Sequence, residues 1–165
     1  MTQNKLTVFD LVPHVGAGEV HLGMRRSEVR RLLGDAVMSY KKVPGAVLTD
    51  RYFADLQVAY DREDRVEYIE LNGPGDIDAV FHGRSLLFLP ADEVLDWMKR
   101  FAEYDLDDPE PGYSYVYPNL DMSVWRPVLP ENPEDDDGRF FQSVGIARAG
   151  YFAKSGALEN QRPSP

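Results

Sequence analysis

The sequence predicts an α+β fold, an antiparallel sheet with helices laid on one face, assembled from a tandem helix-then-hairpin unit. Three observations carry that expectation. Two segments place apolar residues at helical spacing, each is followed by segments in which apolar and polar residues alternate, and clusters of turn residues separate them. The first helix is expected over residues 25–33, where Val29, Leu32 and Leu33 fall at i, i+3 and i+4 and Gly34 follows as a stop. Leu56, Val58 and Tyr60 then alternate with Gln57 and Ala59 as a strand, which the charged turn 61–65 returns into a second strand over 66–71. Asn72, Gly73, Pro74 and Gly75 close that hairpin with four turn residues. A further strand or bend, at 77–81 or 85–89, leads to the second helix, 91–102. There Val94, Trp97, Met98 and Phe101 make one apolar stripe, with Pro90 in a position a helix start tolerates. Residues 113–117 and 120–125 read as strands joined at Pro118 and Asn119. A polar insertion fills 127–138, and 139–146 returns as the last strand.

Laid side by side, the halves correspond. Ser27-Glu28-Val29 matches Asp92-Glu93-Val94 at an offset of 65 residues, and Leu56, Val58 and Tyr60 match Leu120, Met122 and Val124 at 64. Two matches at nearly one offset predict an internal repeat, with half-units of about 20–75 and 85–150. A chain of 165 residues, 43% of them apolar, holds enough for one core, so a single domain over 1–152 is expected. The remaining polar tail, 153–165, has Leu158 as its only large apolar side chain.

Composition excludes several classes of function. Lys and Arg number 18 against 28 Asp and Glu, a net charge of −10, which disfavours attraction to nucleic acid or to an anionic membrane. With no cysteine there is no thiolate nucleophile and no Cys-ligated metal. No run of 18 apolar residues occurs and the start of the chain lacks a signal-peptide pattern, so a soluble, cytoplasmic protein is expected. His14, His21 and His82 form no His-Glu-x-x-His motif, no nucleophile elbow exists, and the glycine clusters at 16–18 and 72–75 read as turns. No catalytic residue, cofactor or metal site is therefore expected. A carboxylate-using enzyme stands as the alternative.

Charge is distributed unevenly. Residues 103–138 hold eleven carboxylates and one base, Arg126, which accounts for the whole net charge, while the rest of the chain balances. Such runs commonly do no more than keep a surface solvated. Here aromatics lie beside the acids. Tyr113, Tyr115 and Tyr117 share one face of a strand by period two and Trp125 follows on the next, so either the Tyr set or Ser114 and Val116 point outward. The expected binding surface uses Asp105, Asp107, Asp108, Asp135, Asp136 and Asp137 to steer and pair with a basic protein partner, and Tyr115, Tyr117 and Trp125 as desolvated anchors. A contrasting basic stretch, Arg25, Arg26, Arg30, Arg31, Lys41 and Lys42, suggests a second contact surface or self-association.

Leu22-Gly23-Met24, the charged helix with Val29 and Leu32-Leu33-Gly34, and the hairpin through Tyr60 and Val66 resemble helix-plus-hairpin repeats of the beta-lactamase-inhibitor-protein-like fold. The second half, with Tyr115-Val116-Tyr117-Pro118-Asn119-Leu120 and Ser123-Val124-Trp125-Arg126, resembles small actinobacterial proteins, some of them immunity-protein-like and paired with toxins. The resemblance implies two units building one concave sheet, and binding or inhibition of a protein, such as a toxin, without chemistry. Arg25 departs from the pattern, which places Ser or Thr there.

Overall fold

Alternating strands dominate the computed structural model, which describes residues 6–52 and 55–153. In chain order its elements are β1 (Thr7–Val12), β2 (Gly16–Ala17), β3 (Val20–His21), α1 (Arg26–Leu33), β4 (Met38–Tyr40), β5 (Thr49–Tyr52), β6 (Leu56–Tyr60), β7 (Val66–Asn72), β8 (Ile77–Phe81), β9 (Arg84–Ser85), α2 (Ala91–Met98), β10 (Ser114–Tyr117), β11 (Met122–Trp125) and β12 (Ser143–Ala147). A seven-stranded antiparallel sheet runs β10-β11-β12-β7-β6-β5-β4, and a five-stranded sheet runs β3-β2-β1-β8-β9. Among the described residues the fold is mostly β, with α1 and α2 each eight residues long. The predicted tail lies, from residue 154, outside the described residues.

The hairpin read from Leu56 onward is the centre of the large sheet. Leu56, Val58 and Tyr60 face the core opposite Leu71, Ile69 and Val66. The register slips by one at Ala59 and Tyr60, so a bulge twists the strand where it meets the charged turn. Strand β12 lies against β7, so β7, β6 and β5 extend to one side of that contact and β12, β11 and β10 to the other. Of the two alternatives before the second helix, 77–81 is a full strand and Ser85 only ends a two-residue one. The smaller sheet departs from an all-antiparallel reading, because β8 pairs with β1 in parallel. A parallel pair joins residues about 70 apart in sequence, beyond the reach of any local signal.

Helix α1 starts without the usual hydroxyl cap. Arg25 is extended, and the Glu28 carboxylate accepts its backbone N–H at 2.9 Å, so the acid at the third helical position supplies what the missing Ser or Thr would have. Gly34, at φ 84°, ends the helix as expected. Helix α2 ends at Met98, four residues short of the prediction. Its last amides, Arg100 and Phe101, reach carbonyls three residues back, which tightens the chain into turns while keeping Phe101 5.0 Å from Phe81 and 5.2 Å from Trp97.

Val29 of α1 and Ala91, Val94 and Met98 of α2 share one buried cluster with the inward residues of the large sheet. A polar clamp joins α1 to that sheet. Asp50, on the inward face of β5 opposite Val58 and fully buried, receives Arg26 Nη1 at 2.8 Å, Arg30 Nε and Nη2 at 3.2 Å and Ser39 Oγ at 2.6 Å. Arg26 also donates to Asp64 and to the Leu48 carbonyl and stacks on Tyr60. Two of the arginines in the basic stretch are therefore structural.

Candidate functional site

The edge of the large sheet at β10 is where the excess charge collects. On one side runs the acidic segment 103–113, which covers the strand edge: Asp105 N–H donates to the Val116 carbonyl and Ser114 N–H to the Glu110 carbonyl. On the other side runs the insertion 127–138. Arg126, the single base of the region, is buried and holds the two together, donating from Nε to the Gly112 carbonyl and from Nη1 to the Gly138 carbonyl, both at 2.9 Å, with its guanidinium over Phe141. Because it is spent on backbone carbonyls, it neutralises no surface carboxylate. Replacing Arg126 by Met, which keeps the apolar stem, is expected to cost about 2 kcal/mol through the two charge-assisted bonds lost. Urea unfolding measures the cost, and faster amide exchange at Gly112 and Gly138 would locate it.

The loops are organised by their own acids. Asp105, Asp108 and Asp135 each accept a backbone N–H two residues on, and Asp135 also takes the Glu131 N–H at 3.1 Å. Asp107 and Asp137 are exposed, and Asp136 has one weak partner, Arg139 at 3.7 Å. Among the described residues, no group of three or more His, Asp or Glu side chains converges as a metal site. Of the eleven carboxylates, Asp121 leaves the surface entirely. It is 2% exposed, and its oxygens accept His14 Nε2, Gly150 N–H and Phe152 N–H at 2.9, 2.9 and 3.1 Å. A carboxylate can only accept, so Nε2 carries the imidazole proton in this contact.

The aromatic anchors divide between the two faces of the sheet. Tyr117 is 1% exposed, and its hydroxyl has no hydrogen-bond partner among the described residues. Burial, with Tyr104 and Tyr115 alongside, pushes that hydroxyl above the ordinary phenol range. Tyr117 is thus a core residue, and the expectation of a surface anchor there is corrected. Tyr115 lies on the same inward face, edge-on to Tyr104 and Phe141. Ser114 and Val116 form the outward set, in register with Trp125 and Ser123. Trp125 is accordingly exposed, at 39%. Sequence reasoning missed Leu106, 84% exposed between Asp105 and Asp107, and Phe140, exposed at the end of the insertion. A usable signal existed for Phe140: adjacent Phe140 and Phe141 cannot both face the core, and Phe141 does.

A separate groove of about 820 Å³ lies on the outward face of the large sheet. Tyr68 forms its floor, reaching across Gly145 of β12 and stacked by Tyr151 at 5.5 Å. Within it Lys42 pairs with Glu70 at 3.5 Å, and Arg148 with Asp61 and Glu67 at 3.2 Å.

No protein-family model, no curated protein and no solved structure matches this chain. No helix among the described residues is long and apolar enough to cross a membrane.

Proposed function

We propose that this chain is a non-enzymatic binding protein, of the immunity or inhibitor kind, that masks a basic protein partner through the acidic edge of its larger sheet. One observation carries the reading. Ten carboxylates of residues 103–138 stay outside the core on two loops buckled together by Arg126, and the only ion pair found for them among the described residues is the exposed Asp136–Arg139 contact. A field of one sign on a held surface raises the encounter rate with a cation and rejects anions. Trp125 and Leu106 supply exposed apolar area beside it.

The order of strands about the β7–β12 contact supports reading the chain as a duplicated helix-then-hairpin unit, with a helix preceding each set. Self-association through the basic helix is the alternative, with fewer free cations to carry it, since Arg26 and Arg30 both bind Asp50. Salt-sensitive oligomers in sedimentation would favour it.

The test is affinity capture from the source cell's lysate at low and high salt, followed by titration of the recovered protein. The triple variant Asp135→Ser, Asp136→Ser, Asp137→Ser is expected to bind at least about tenfold more weakly at low salt and to show a shallower salt dependence. Unchanged affinity and salt slope would remove the mechanism.

A further inference from the structure

We infer that the end of the acidic insertion borders a preformed pocket for one large apolar side chain flanked by Lys or Arg on the partner, with Arg139 as an internal competitor at its rim. This rests on the binding-protein reading and specifies what such a partner must present. The pocket, about 280 Å³, is floored by Leu87 and Phe141, both buried, and walled by Pro74, Phe88 and Phe140, with Asp136 on the rim. Phe88 and Phe140 are 46% and 36% exposed, an unusual state for two phenylalanines facing one cavity. That volume falls short of ordinary small-molecule sites and suits a single side chain.

The walls are held before any partner arrives. Ala91 N–H, at the start of α2, donates to the Arg139 carbonyl at 2.7 Å, Gly73 N–H to the Gln142 carbonyl at 2.8 Å, and Arg126 to the Gly138 carbonyl at 2.9 Å. Attachments at residues 138, 139 and 142 pin the segment that carries Phe140 and Phe141. A pocket held open in this way spares the ordering cost that weakens flexible interfaces.

Charge selects the occupant. Asp136 is 90% exposed on its side chain and follows Glu131, Glu134 and Asp135, with Asp137 next to it, so an acidic segment would be repelled from the rim. The molecule already shows what the rim accepts. The Arg139 guanidinium lies 5.6 Å from the Phe140 ring and 3.7 Å from Asp136, an aromatic face and a carboxylate offered together to a planar cation. Both partners of that contact are well exposed, so an incoming Lys or Arg can displace it at little cost.

The experiment titrates the ¹⁵N-labelled full chain at low salt with the peptide acetyl-Gly-Phe-Arg-Lys-Arg-amide and with its Phe→Ala counterpart. The Phe peptide is expected to bind about tenfold more tightly than the Ala peptide, shifting the amides of Leu87, Phe88, Asp136 and Phe140. The Arg139→Ser variant should bind the Phe peptide about threefold more tightly than wild type, because the competitor and its positive charge are gone. Phe140→Ser should erase the preference for Phe over Ala. Equal binding of the two peptides, with shifts spread over both acidic loops, would overturn the pocket and leave the acidic-edge reading standing. No binding of either would overturn both. Weaker binding by Arg139→Ser would overturn the competitor role. Pocket amides that move with protein concentration alone would identify a second copy as the occupant and overturn the partner chemistry inferred here.

Discussion

Asp50→Asn is expected to destabilise the fold by about 3–5 kcal/mol, the cost of removing one member of a buried, hydrogen-bonded ion group. The carboxylate is fully buried and is the shared acceptor for Arg26, Arg30 and Ser39. Its neutral replacement leaves the guanidinium groups of Arg26 and Arg30, one turn apart on α1, without the carboxylate they share. Against a total stability of about 5–15 kcal/mol for a domain, such a loss brings the chain near its unfolding threshold. Urea unfolding at pH 7 measures it. A loss below about 1 kcal/mol would mean that water or Asp64 takes over the role. Combining Asp50→Asn with Arg26→Met should cost less than the two single changes added together, since each single change already breaks the same Arg26–Asp50 contact.

The same clamp predicts an acid limb. Burial pushes the Asp50 carboxyl up, but hydrogen bonds from Arg30 and Ser39 and the charges of Arg26 and Arg30 outweigh it and hold the carboxyl below its ordinary value. A carboxyl whose value is depressed in the folded state contributes stability that is complete above the unfolded value, about 3.9, and is lost as pH falls through the folded one. The difference between wild type and Asp50→Asn should therefore be constant from pH 5 to 7 and shrink below about pH 4. A difference that stayed constant into the acid range would separate the stability of the clamp from its charge.

The clamp also marks where the sequence stops being legible. The hairpin at Leu56 and the two helical stripes could be read because their apolar periodicity is local; the hairpin and α2 bury the faces it names, whereas in α1 only Val29 is buried and Leu32 is 43% exposed. Strand β5 carries Thr49-Asp50-Arg51-Tyr52, a polar string whose inward acid makes sense only beside arginines 20 and 24 residues earlier. Strands β2, β3, β4 and β9 are two or three residues long, too short for any period to show. At the candidate site the concentration of acid was visible from composition alone, but orientation was not. Nothing local distinguishes the Tyr115 face from the Val116 face; Phe141, packed edge-on to Tyr115 from 26 residues away, turns that face inward. Asp121 looked like one more surface acid because its three donors come from residues 14, 150 and 152.

Asp121→Ala is expected to cost about 3 kcal/mol, and the loss should appear first on the outward face of the large sheet. Three donors lose their acceptor, two of them backbone amides, at about 1 kcal/mol or more each. The residue also sits at φ 48°, which Asp and Asn tolerate and Ala does not. Asp121→Asn keeps the backbone preference and one acceptor oxygen, so it should cost roughly half as much. The amides of Gly150 and Phe152 belong to the segment that carries Tyr151 onto Tyr68. Once they are released, Tyr68 loses its cover. Its hydroxyl, held above the ordinary phenol value by burial and by Glu70, should then titrate closer to that value in an alkaline absorbance scan. Faster amide exchange at Gly150 and Phe152, together with the Tyr68 shift, would establish Asp121 as the strut of the groove wall. A stability loss with neither change would place the cost at the β10–β11 turn instead, in the strained backbone of residue 121 itself.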